Sequence, residues 1–130
     1  MILTADIGNT NIVIGGFEGD DITFVARIAT NAPNTEDEYA TKIKSILALH
    51  EVDKTSVKGA IISSVVPPLN SVMKKAINIV YGIEPILVGP GVKTGLNILC
   101  DSPSQVGADL ICACVGAQNL YGSPSLIIDM

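Results

Sequence analysis

The stretch TADIGNTNIVIGG, residues 4–16, ends an apolar strand on an acid, turns through four polar or glycine positions, and re-enters an apolar strand backed by two glycines. Asp6 stands at the carboxyl end of that first strand, which is where open sheets collect ligands, because loops there vary without disturbing the core. A carboxylate at that place can hold Mg²⁺ through water, since Mg²⁺ prefers hard oxygen ligands and keeps much of its hydration. Gly8 lets backbone come close to a bulky anion, and Asn9, Thr10 and Asn11 offer amide and hydroxyl donors to phosphate oxygens. The same residues also read as an ordinary hairpin turn rich in Gly and Asn. The rest of the chain has to decide between them.

Working outward, residues 2–7, 11–17 and 22–29 are short apolar or β-branched runs separated by the turn stretches GNT and EGDD, the pattern of a three-stranded antiparallel meander. Thr35 and Glu38 have the spacing of a capping box, and Tyr39, Ile43, Ile46 and Leu47 follow at helical spacing. KGAIISSVV, residues 58–66, is a continuous apolar run short enough for a buried strand. Beyond Pro67 and Pro68, the residues Leu69, Val72, Met73, Ala76, Ile77 and Val80 form a helical stripe, and PILVG, residues 85–89, is a fifth strand. The order β-β-β-α-β-α-β predicts an α/β domain with a mixed five-stranded sheet, its later strands parallel to the first. A loop-rich segment spans 89–101, and a third helix is expected from Ser102 to about Tyr121, with Pro103 at its first position and Gln105 completing a second capping box. YGSP ends that helix and SLIIDM, residues 125–130, is expected to begin a new strand. The expected units are therefore 1–101 as one domain, 102–122 as a connecting helix and 123–130 as the first strand of a second domain.

At 130 residues the chain is long enough for one domain with a real core. Thirteen acidic against eight basic residues give a net charge of −5 with no block of Lys or Arg, which argues against nucleic acid as partner. No apolar run approaches the ~18 residues of a membrane span and MILTAD lacks a basic leader, so the expectation is a cytoplasmic protein with no membrane partner. Cys100, Cys112 and Cys114 lack the paired spacing of a zinc site, and the only histidine, His50, is distant in sequence; reduced, buried cysteines are expected. His50 falls at a helix end, where it can meet the last carbonyls.

Two further stretches could carry chemistry. GPGVKTG, residues 89–95, has neither Walker A nor dinucleotide-fingerprint spacing, and reads as a glycine-rich loop able to border a substrate pocket. In QVGADLICACVGA, residues 105–117, a helical wheel puts Val106, Leu110, Ala113, Ala117, Leu120 and Tyr121 on one apolar arc, with Asp109 at its edge near the helix start. A carboxylate there suits a general base; the plainer alternative is an acid complementing the helix dipole.

Taken in order, DIGNTN, TEDEYA, ISSVVP, GVKTGL, PSQVGAD and YGSPSLIIDM resemble the motifs of the type III pantothenate kinases, and the resemblance covers the whole chain. It implies a member of the acetate and sugar kinase/actin superfamily, with ribonuclease H-like domains that clasp ATP, and it favours the phosphate reading of the first turn. It further implies that Asp6, Ile7, Gly8, Asn9, Thr10, Asn11, Ile12 and Val13 bind ATP phosphates, with Mg²⁺ near Asp6. On the acceptor side it implies that Cys100, Gly107, Ala108, Asp109 and Leu110 meet pantothenate, with Asp109 as the base that deprotonates its hydroxyl. Asp129 would hold a monovalent cation, potassium or ammonium, and the protein would be a homodimer.

The sequence departs from the family pattern in three places. Leu110 stands where the family usually has arginine, and leucine has no forked donors for a substrate carboxylate. Cys100 stands where tyrosine is frequent. The family's second phosphate loop and second domain lie outside these residues, so residues 1–130 are expected to hold half an ATP site and to be inactive alone. The competing expectation is a nucleotide-dependent regulatory or binding module of the actin-like fold without kinase activity.

Overall fold

A computed structural model describes residues 1–128. Strands β1 (Ile2–Ile7), β2 (Asn11–Glu18) and β3 (Asp21–Ala29) form the expected meander. Helix α1 (Glu36–Leu49) leads to β4 (Gly59–Ser64), and helix α2 (Pro67–Tyr81) leads to the short β5 (Ile86–Leu87). The sheet order is β3-β2-β1-β4-β5. β1 pairs antiparallel with β2 and parallel with β4, and β4 pairs parallel with β5, so the mixed sheet and its connectivity agree with the sequence reading.

Alternation along β1 and β4 explains the layering. Leu3, Ala5, Ile7, Ala60 and Ile62 turn to one face and are buried beneath α1 and α2 with Ile12 and Ile14 of β2. α1 contributes Tyr39, Ile43, Ile46 and Leu47 to that core, and α2 contributes Leu69, Met73, Ala76 and Ile77. Leu69, Met73 and Ile77 are fully buried, which stabilises the layer by about 2 kcal/mol each. α1 starts at a complete capping box: Glu38 N–H donates to Thr35 Oγ1 and Thr35 N–H donates to Glu38 Oε2. α2 starts with proline in its first turn and ends at Gly82, whose left-handed φ of 69° suits a residue without Cβ. His50 closes α1 through its backbone N–H and stacks its ring on Phe24 at 4.9 Å.

The other face of β1 and β4 presents Thr4, Asp6, Ile61 and Ser63, and the third helix lies across it. Here the structure corrects five expectations. Pro103–Gln105 form a separate 3₁₀ turn and α3 runs Ala108–Tyr121, so the first residue of the helix is Ala108 and not Pro103. The Ser102 side chain caps nothing; Gln105 N–H bonds the Ser102 carbonyl instead, and Gly107, extended at ψ 144°, separates the turn from the helix. The expected apolar arc is packed only in part: Val106, Ala113 and Ala117 are half-buried, as is Asp109 at its edge, but Leu110, Leu120 and Tyr121 are exposed. α3 is apolar nearly all round, so periodicity could not select its inner side. Nor are the cysteines buried as expected: Cys100, on the loop before α3, and Cys112 and Cys114, on α3, are free and exposed. Ser125–Ile128 carry no regular secondary structure, so the strand expected there is not formed among the described residues.

Candidate functional site

Ile2–Ile7 end at the turn that the opening stretch suggested, and the backbone there is tied down on both sides. Gly8 N–H donates to the Asn11 carbonyl at 2.9 Å, Thr30 Oγ1 donates to the Gly8 carbonyl at 2.7 Å, and Thr30 N–H donates to the Thr10 carbonyl at 2.9 Å. A Cβ at Gly8 would stand 3.1 Å from the Asn11 carbonyl oxygen, so the turn itself favours glycine whatever it binds. Asn9, Thr10 and Asn11 present exposed side chains, whereas Ile7 and Ile12 are fully buried and Val13 is half-buried. Any ligand of this turn would therefore meet Ile7 and Ile12 through backbone alone.

Asp6 does not point into the α1–α2 core. It shares a cavity of about 600 Å³ with Thr4, Ile61, Ser63 and Val88 from the sheet side and Asp109, Cys112 and Ala113 from α3. That size suits a small organic ligand. Asp109 and Cys112 are three residues apart, one helical turn, and so reach the cavity together. Two carboxylates, one from a strand end and one from a helix start, thus line a single space with apolar walls.

The start of α3 fixes the Asp109 side chain. Leu110 N–H donates to Asp109 Oδ1 at 2.8 Å, and Asp109 sits in the first turn, where the helix dipole favours negative charge. Gly107 leaves the room the carboxylate uses: a Cβ there would overlap Asp109 Oδ1. Partial burial pushes the Cys112 thiol above its ordinary acidity range; the nearby Asp6 and Asp109 carboxylates add to the rise and Ser63 opposes it. That mutual influence is a second sign that the four side chains converge.

Of the sequence-predicted residues, Asp6 and Asp109 are brought together, and Gly8–Asn11 follow Asp6 along the chain at the strand end. Gly107 and Ala108 flank Asp109 without lining the cavity, Leu110 is 42% exposed outside it, and Cys100 lies on an exposed loop away from its walls. The glycine-rich loop 89–95 contributes nothing to the lining; only Val88 before it does. Asp129 lies outside the described residues. Sequence reasoning missed Ser63 and Cys112, which only strand register and helix phase place beside the two acids. A second cavity of about 500 Å³, between α1 and the end of α2, includes Lys44, Lys54 and Tyr81 and none of the predicted residues; burial pushes the Tyr81 hydroxyl up to about 12.

Among the described residues no group of three or more His, Cys, Asp or Glu could enclose a metal ion. A lone Asp6 carboxylate fits Mg²⁺ held largely by its own waters and does not fit zinc or another metal that needs several protein ligands.

A mixed sheet of this order, with a carboxylate and polar turn at the end of its first strand, is the actin-like ATPase fold of the phosphotransferases. The sequence model for type III pantothenate kinase matches residues 2–130, and the chain belongs to that family. It is 46% identical over 129 residues to a type III pantothenate kinase from Geobacillus sp. (strain WCH70), covering 99% of this chain and 50% of the relative. It is 48% identical over 130 residues to one from Bifidobacterium animalis subsp. lactis (strain AD011), covering 100% of this chain and 52% of the relative. The chain thus spans about half the length of the curated relatives it matches.

Proposed function

We propose that the whole protein transfers the γ-phosphoryl group of ATP to the primary hydroxyl of pantothenate, the first step toward coenzyme A, in the cytoplasm and as a homodimer. The carrying observation is that Asp6 and Asp109 line one cavity in a chain of the type III pantothenate kinase family. In this reading the turn Asp6–Val13 receives the ATP phosphates, through backbone groups and the exposed side chains of Asn9, Thr10 and Asn11. Asp6 would hold Mg²⁺ through the ion's own waters, and the ion would offset charge on the phosphoryl group that ATP supplies. Asp109 accepts the proton of the acceptor hydroxyl as that oxygen bonds phosphorus and the bond to the departing ADP breaks. Gly107 and Ala108 set the position of that carboxylate, while Cys100 and Leu110, which do not line the cavity, are assigned to the acceptor by the family resemblance alone. Asp129 serves a monovalent cation, potassium or ammonium, whose hard-oxygen preference a carboxylate meets.

The test is ADP release by the full-length protein with and without pantothenate, in potassium and in sodium salts. Pantothenate should stimulate release, potassium should exceed sodium, and Asp109→Asn should lower turnover by about 10²- to 10⁴-fold. Release indifferent to pantothenate would instead mark a nucleotide-dependent regulatory module. Normal turnover by Asp109→Asn would remove the base.

A further inference from the structure

Among the described residues that line the cavity, Ser63 is a buried hydroxyl whose chemistry the proposed transfer leaves idle. It lies on β4 directly across from Asp6 of β1, the two being partners in the parallel register, so their side chains leave the sheet on the same face. The residue is 8% exposed, it lines the cavity, and its Oγ has no hydrogen-bond partner among the described residues. The Cys112 thiol across the cavity is near enough for the hydroxyl to influence its acidity, yet no bond of ordinary length joins them, and a thiol is a weak partner in any case. Thr4, the other hydroxyl in the lining, is already used, donating to the Gly15 carbonyl at 3.3 Å.

A buried hydroxyl without a partner is unfavourable in the free protein, and such groups persist where something else satisfies them. The walls beside Ser63 are Ile61, Val88 and Ala113, which offer no polar atom from their side chains. The group facing it from α3 belongs to the Asp109–Cys112 turn, the acceptor side, and not to the Gly8–Asn11 turn where phosphates are expected. We infer that Ser63 is a specificity-determining residue for the acceptor: its Oγ hydrogen-bonds a second oxygen of the alcohol substrate and holds the reacting hydroxyl beside Asp109. This rests on the transfer proposed above. It narrows the acceptor class to alcohols that carry another hydroxyl or carbonyl oxygen close to the one phosphorylated, and it disfavours simple alcohols.

The experiment is steady-state kinetics on the full-length protein and on Ser63→Ala and Ser63→Thr, with pantothenate and ATP varied in turn, together with melting of each ligand-free protein. Ser63→Ala should raise the KM for pantothenate about tenfold, the worth of one neutral hydrogen bond, and leave the KM for ATP within twofold. Its ligand-free melting temperature should hold or rise, because an unsatisfied hydroxyl has been removed, and Ser63→Thr should recover part of the acceptor affinity. Unchanged KM for pantothenate in Ser63→Ala, or a rise confined to ATP, overturns the assignment. So does a lower melting temperature with unchanged kinetics, which would make Ser63 a structural residue. A wild-type protein without pantothenate-dependent turnover would fail at the level of the transfer itself, before any variant is compared.

Discussion

At Gly107 the chain gives up a side chain and Asp109 takes the space, since a Cβ would overlap the Asp109 Oδ1 that Leu110 N–H holds. The backbone there is ordinary, φ −59° and ψ 144°, so any residue could adopt it. The demand for glycine is steric and local to the carboxylate. Gly107→Ala is therefore expected to turn the Asp109 side chain out of position without unfolding the helix. A reacting group misplaced by about 1 Å costs about a hundredfold in rate. The full-length variant should lose about that much turnover, with the melting temperature little changed; kinetics paired with thermal melting decide it. Intact turnover would mean that the carboxylate has another rotamer equally useful for the transfer. Asp109 itself was legible in the sequence, since an acid after a proline and a glycine at a helix start stands out. Ser63 was not. Inside ISSVVP it is one small residue in an apolar run, and only the pairing of β4 with β1 sets it beside Asp6.

The elements divide according to whether their sequence has two faces. α1 has an inner face of Tyr39, Ile43, Ile46 and Leu47 and a capping box at its start, and it forms where the pattern places it. Thr35→Ala should remove one of the two reciprocal bonds and destabilise the protein by about 1 kcal/mol, near 4 °C in melting temperature. The partner half of the box adds a pH dependence. The Thr35 backbone N–H, and then its hydroxyl, hold the Glu38 carboxyl below the usual glutamate range. A carboxyl lowered on folding contributes stability above its unfolded value and loses it as pH falls through the folded one. Glu38→Gln should thus be less stable than wild type at neutral pH and converge with it below about pH 4, as followed by circular dichroism melts. A constant gap across that range would show that the charge has no part in the cap. α3 offers no such contrast: with apolar residues all round and Asp109 its single charge, its phase on the sheet could not be read, and neither could the exposure of Cys112 and Cys114. Its late start follows from Gly107, which a helix tolerates poorly in its interior, and from Ser102, whose side chain makes no cap.

At the scale of the molecule, one side is finished and the other is not. The α1–α2 face buries a continuous core and joins its helices through the Lys75–Glu36 ion pair at 3.4 Å. The α3 face leaves Leu120 73%, Tyr121 83% and Leu126 88% exposed. Leu120 and Tyr121 are adjacent in sequence, and a contiguous apolar patch at this end of α3 is the kind of surface that a partner covers. A segment matching the other half of the relatives' length would cover it, and so would a second copy. The second copy is the occupant we expect. α3 carries only one charge, Asp109, and that residue sits at the opposite end of the helix from Leu120 and Tyr121, so a twofold contact there brings no like charges together. Residues 1–130 should sediment as a dimer across a concentration series, and Leu120→Lys with Tyr121→Lys should sediment as a monomer with its melting transition retained. The added lysines would meet their own copies across the twofold axis, which makes the pair a charge test as well as an area test. A wild-type chain that stays monomeric throughout would assign the apolar face to the rest of the protein, and a double variant that still dimerises would move the contact off this end of α3.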